Sequence, residues 1–167
     1  MKGGLKMVQI PDWVFEFHGH KCPAMPIGSG AGLAAMKQLG VGRASNKELF
    51  MVCKNGPAHA TACFLDGVMA ATGCTYGKGN AVKQNYGKNA ITLVDVKRKK
   101  AVRVVMNPAF QKKGLASEFV KLRSQGIEPK DIQPEIVSPM IENILKANDE
   151  DLFLIGEVAY KNLQMKN

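Results

Sequence analysis

Several things are scarce in this 167-residue sequence. No run of 18 apolar residues occurs, which argues against a transmembrane helix. The opening "MKGGLKMVQIPDW" holds no apolar stretch long enough for a secretory signal. Together these lead us to expect a cytoplasmic protein whose thiols stay reduced. There is no CxxC, which speaks against a thioredoxin-like pair or a zinc ribbon, and no CxxCH for covalent haem. GxSxG, HExxH and a GK[ST] ending are absent too. Only 11 aromatics are present, and no basic run is interleaved with them, so nucleic acid is the weaker option for a partner. Acidic residues are also few. Fourteen of them stand against 23 basic ones, a formal charge of +9. That balance describes either a solvated basic surface or one that receives an anionic partner.

What is present is concentrated. Four cysteines (Cys22, Cys53, Cys63, Cys74) and three histidines (His18, His20, His59) all fall between residues 18 and 74. These are the commonest ligands of zinc and related metals. The length suits one domain able to bury a core without disulfides.

The pattern along the chain predicts an α+β fold, a mixed sheet flanked by helices. "IPDWVFEFHGH" reads as a short helix stopped by Gly19. "AMPIGSGAGLAAMKQLG" reads as a second helix capped by Gly40, with a Gly/Ala face that invites close approach of another backbone. Its "GSGAG" is a weak phosphate-loop signal, because position 33 is leucine and no strand precedes it. "KELFMVCKN" reads as a strand. A helix from about Ala58 to Thr72 follows, with Gly73 as its stop. A glycine-rich loop, "TYGKGNAVKQNYGK", comes next. "AITLVDV" and "AVRVVM" then form a hairpin around the solvated turn "KRKK". One helix is expected over "PAFQKKGLASEFVKLRS" and another over "EIVSPMIENILKA", interrupted at Pro139. "DLFLIGEVAY" reads as a final strand. These readings divide one domain into a core of 10–106, a helical part of 107–150 and a strand region of 151–160.

Two constellations carry chemistry. On the helix at 58–72, His59 and Cys63 are four apart and Asp66 follows three later, so all three share a face. In "HGHKCP", His18, His20 and Cys22 can converge on one ion across a turn. Cys22 stands just before a helix start, where exposed N–H groups and the helix dipole ease deprotonation. That suits metal ligation or nucleophilic chemistry equally. Three readings stay open. The first is a zinc-like divalent metal site with an open position. The second is an enzyme using Cys22 or Cys63 as a nucleophile or redox centre. The third is non-covalent binding of haem or another tetrapyrrole by His59 or a methionine.

"FHGHKCP", "GSGAGLAAMKQLG", "ACFLDGVMAATGCTYGKGN" and "NYGK", in that order, resemble the E-subunit family of formylmethanofuran dehydrogenase. Those proteins accompany a molybdenum or tungsten enzyme of methanogenesis, and relatives occur in anaerobes that make no methane. The resemblance covers roughly residues 10 to 106 well. It implies an α+β core, an intertwined homodimer, an accessory role beside a larger dehydrogenase, and a metal site commonly taken to hold zinc. Carried over, the ligands are His18, His20, Cys22 and Cys63. Asp66 matches an acidic position, Cys74 falls in the "TGCT" element, and the loop from Thr75, with Lys78, joins the same pocket. Lys78 and the basic surface would then receive a small acidic ligand. This chain reads Ala24 where the family often has glycine, and His59 is additional. No cysteine follows Cys74, so the C-terminal zinc finger of many members is expected to be missing.

Overall fold

The structure, a computed structural model, describes residues 10–163 and 165; the side chains at 59–61 and 162 lie outside that description. Two helices come first. α1 spans Asp12–His18 and ends on Gly19, whose left-handed φ of 92° lets its N–H return to the Phe15 carbonyl. α2 spans Ala24–Leu39 and ends on Gly40. β1 (Leu49–Cys53) leads through a turn to α3 (His59–Thr72). The segment 75–88, expected to be a glycine-rich loop throughout, contains a short strand, β2 (Ala81–Lys83), that pairs with β1, while β3 (Ala90–Asp95) and β4 (Lys100–Met106) form the expected hairpin. Then come α4 (Pro108–Leu115), α5 (Glu118–Ser124), α6 (Pro134–Lys146), α7 (Asp149–Leu152) and β5 (Phe153–Val158).

The five strands make one mixed sheet in the order β2-β1-β3-β4-β5. Only β1 and β2 run parallel, because α3 and the loop after it carry the chain across between them. β3 is central and all six of its residues are buried, which explains its nearly unbroken apolar run. α2 packs on β3 and β4 and, on another side, against α3. The fold is therefore the α+β arrangement anticipated from the sequence.

The α2–α3 contact positions the site. A Cβ on Gly28 would overlap the Phe64 carbonyl, and one on Gly67 would overlap the Met25 carbonyl. Ser29 donates to the Gly67 carbonyl at 3.1 Å across the same seam. The small residues thus let two backbones touch, as the Gly/Ala face suggested. Gly28 meets Phe64 while Gly32 meets Val68, Ala71 and Thr72, so the two helices run in the same sense. Their N-terminal ends lie together at one end of the contact. "GSGAG" lies inside α2, where its N–H groups are used by the helix ladder rather than by a phosphate.

Three further local expectations are corrected. The helix over 108–124 is two helices, because the Ser117 hydroxyl accepts from Val120 N–H and starts α5 afresh. Pro139 does not interrupt α6. The carbonyl it leaves without a donor is that of Glu135, an exposed residue, so water can satisfy it. The "KRKK" turn is also anchored at one point. Arg98 pairs with Asp95 and donates to the Leu39 carbonyl, tying the hairpin to the end of α2.

Candidate metal centre

His18 is the last residue of α1, and the left-handed turn at Gly19 swings His20 back beside it. The two imidazoles lie 4.3 Å apart between centroids. Cys22 follows just before α2, and Cys63 faces it from the second turn of α3. The ligand atoms of His18, His20, Cys22 and Cys63 all lie within 4.8 Å of one another. Cys22 Sγ is 3.7 Å from His18 Nε2, and Cys63 Sγ is 3.9 Å from His20 Nε2. A tetrahedral zinc with ordinary Zn–S and Zn–N lengths sets neighbouring ligand atoms about 3.3–3.8 Å apart. Two imidazole nitrogens and two sulfurs at this spacing fit such an ion.

Asp66 orients the first of these donors. Its Oδ2 accepts from His18 Nδ1 at 2.8 Å, which leaves Nε2 as the lone-pair atom pointing at Cys22. The His18 side chain is only 6 % exposed, so this bond is shielded on the histidine side. The sequence placed Asp66 on the face of Cys63, and the structure puts it there behind His18.

The two thiols share one environment and differ in acidity. A hydrogen bond from Cys63 holds the Cys22 pKa below its ordinary value. Burial opposes this, and the backbone N–H groups of Met25 and Ala24 at the start of α2 add to the lowering. Cys63 is pushed far up by the same hydrogen bond and by burial. Of the two thiols, Cys22 is therefore the one that gives up its proton more readily. The helix-start argument made from the sequence for Cys22 has this physical content.

The group sits at the edge of an open cleft of about 420 Å³. His18, Gly19, His20, Ala62, Cys63 and Asp66 line one side, and Glu128, Pro129 and Lys130 line the other. Nothing in the sequence flagged 128–130, which arrive from a 3₁₀ turn more than 60 residues after Cys63.

Other expected residues lie elsewhere. Cys74, Thr75 and Lys78 do not line this cleft. They follow the C-terminal end of α3, about 14 Å along the helix from Cys63 at 1.5 Å per residue. Lys78 Nζ donates to the carbonyls of Ala44, at 3.1 Å, and Ser45. Thr75 N–H donates to Asn80 Oδ1, and Cys74 N–H to the Thr72 hydroxyl. Burial raises Cys74 to about 11. These residues close the loop after α3 in this chain. His59 begins α3, and its side chain lies outside the described residues. Cys53 is buried with its thiol on Asn55 Oδ1, and burial raises its pKa to about 11.

Likeness to known proteins places the chain. A family model described as "FmdE, Molybdenum formylmethanofuran dehydrogenase operon" matches residues 17–154. A probable S-adenosyl-L-methionine-binding protein of Archaeoglobus fulgidus is 38% identical over 113 residues. That stretch is 64% of this chain but only 29% of the relative, so the chain spans under a third of the relative's length. A crystal structure of a tungsten formylmethanofuran dehydrogenase FmdE-like protein from Syntrophus aciditrophicus matches with a TM-score of 0.57 at 23% identity. It covers 87% of this chain and 68% of that one, a likeness of fold. The family match runs through all four clustered donors and most of the sequence, and by it the chain belongs to the FmdE family.

Proposed function

We propose that this chain is an accessory metal-binding protein of anaerobic metabolism, resembling the subunit that accompanies molybdenum or tungsten formylmethanofuran dehydrogenases. It acts in the cytoplasm as a homodimer and holds one zinc-like ion at Cys22, Cys63, His18 and His20. One observation carries this reading: two imidazoles and two thiols gather within 4.8 Å at the edge of an open cleft. A bound divalent ion supplies Lewis acidity at that edge. The chain does the rest. Asp66 holds the His18 ring, and the backbone N–H groups at the start of α2 lower the pKa of Cys22. Pro129, on the opposite wall, is buried and holds its turn in place. His20 follows Gly19, the residue type with the freest backbone, and lines the cleft, so it is the ligand best placed to yield a position.

Metal analysis of protein purified without chelating resin tests this reading. About one equivalent of a transition metal is expected, as a four-donor set holds a single ion. Less than about a tenth of an equivalent, with no uptake on titration, overturns it.

A second reading has its own support. Cys22 Sγ lies 3.7 Å from an imidazole at a helix start, the setting of a thiol nucleophile. Alkylation separates the two. A ligand thiol is protected by bound zinc, whereas a nucleophile reacts quickly with zinc present. The tetrapyrrole reading depends on His59, outside the described side chains, or on methionines, of which Met25 and Met51 are sealed in the core. S-adenosyl-L-methionine binding is a property in the name of the Archaeoglobus relative, and equilibrium dialysis against it decides whether this chain shares it.

A further inference from the structure

We infer that the cleft beside the four-donor group takes a small carboxylate, and that Lys130 meets its charge. The inference deepens the metal-binding reading and rests on it for the inner end of the cleft.

Charges of both signs face the cleft. From α1, the turn after it and α3 come His18, His20, Cys63 and Asp66, and from the opposite turn come Glu128 and Lys130. The two carboxylates are engaged. Asp66 accepts from His18 Nδ1 at 2.8 Å, and Glu128 lies 3.5 Å from the Arg123 guanidinium. The two thiols offset the charge of a divalent ion bound among them. Lys130 is different. It is exposed at the cleft wall, and it makes no hydrogen bond or ion pair among the described residues.

Its position is nevertheless fixed. The turn Pro129–Asp131 is closed by the Asp131 N–H to the Glu128 carbonyl at 2.9 Å. Pro129 and Ile132 on either side are buried. The backbone is held while the ammonium remains available. A cleft of about 420 Å³ admits a small molecule and is in the size range of ordinary ligand sites. A ligand that spans it meets donor-rich imidazole and metal chemistry on one wall and a lone ammonium on the other. A carboxylate satisfies the ammonium through charge-assisted hydrogen bonds. Lys78, expected from the sequence to fill this role, is held on carbonyls beyond the far end of α3. No covalent step is implied.

The test uses the full chain, zinc-loaded and labelled with nitrogen-15, titrated with acetate. Saturable amide shifts are expected at Gly19, Ala62 and Lys130, and none with the neutral isostere acetamide. Lys130→Ala should weaken acetate about tenfold, the scale of one partly exposed charge-assisted bond. Lys130→Arg should keep most of the affinity. Lys146→Ala removes the same charge from an exposed pair with Glu142 on α6 and should change nothing. Absence of saturable shifts in zinc-loaded protein overturns the inference and leaves the metal reading standing. Equal weakening in Lys130→Ala and Lys146→Ala also overturns it, since net charge would then be the cause. Failure to take up zinc at all overturns the metal reading, and the inference falls with it.

Discussion

At the scale of single residues, the four-donor group is oriented by a side chain outside it. Asp66 touches the imidazole edge opposite Nε2 and sets which nitrogen is free. Asp66→Ala should lower zinc affinity by about 10- to 100-fold, the usual loss when such a supporting carboxylate is removed. Because Asp66 is 35 % exposed, the fold should be unaffected. Competition with a chromogenic chelator measures the first effect, and circular dichroism checks the second. A different carboxylate, Glu48, contributes to the acid side of the stability profile. Glu48 accepts from the Ser45 hydroxyl at 2.6 Å and the Asn46 N–H at 2.7 Å. The Ser45 hydroxyl and nearby backbone N–H groups lower its pKa from 4.5 to about 2. A depressed folded value means that the carboxylate favours the fold above pH 4.5, and that this contribution disappears as pH falls towards 2. Glu48→Gln should therefore flatten that part of the stability profile, as read by denaturant melts at stepped pH.

At the scale of elements, two helices are pressed together by missing side chains. Gly28→Ala puts a methyl into the Phe64 carbonyl, and backbone cannot rotate away as a side chain can. A loss of about 3 kcal/mol or more is expected. Since α2 and α3 carry Cys22 and Cys63 into register, zinc affinity should fall together with stability. A methyl added at Gly114, near the end of α4, would meet nothing within 4 Å, so Gly114→Ala should gain about 0.5–1 kcal/mol without touching the metal. Urea midpoints of the two variants provide the comparison. Elements are also where the sequence was most legible. Gly19, Gly40 and Gly73 all end helices in the left-handed region, as glycine allows at little cost. The break before Ser117 was harder to see, because a serine cap looks like any surface serine until its hydroxyl meets Val120 N–H. Pro139 misled for a related reason: the cost of a lost helix bond depends on whether water reaches the orphaned carbonyl.

At the scale of the whole molecule, the four-donor group ties together segments about 40 residues apart in sequence. An ion that binds only the folded chain stabilises it by mass action. At zinc 100-fold above its Kd this is about 2.7 kcal/mol, or roughly 5–10 °C in Tm for a chain of this size. A thermal scan with zinc and with EDTA should show that gap; coincident curves would remove the coupling. A second feature at this scale is the side of β5 that pairs with no strand among the described residues. β5 is an edge strand with Leu154 and Ile155 exposed at 53 % and 37 %. Bare apolar edges invite pairing with another chain. In the homodimer we propose, light scattering should report twice the mass of one chain, and Leu154→Lys should shift it towards one.

Element types, helix stops and ligand chemistry could all be read along the chain, because they follow from local propensity and residue identity. "HGHKCP" and the His59–Cys63–Asp66 spacing already held every donor found near the centre. Which of those donors meet is a matter of packing. The parallel contact of α2 with α3 brings their N-terminal ends together, so Cys22 faces Cys63. The same contact carries Cys74 and Lys78 to the far end of α3, away from the pocket to which the family resemblance had assigned them. Lys130 could not be found from spacing at all. Its place in the cleft follows from where a buried Pro129 docks, a long-range packing choice that no local pattern encodes.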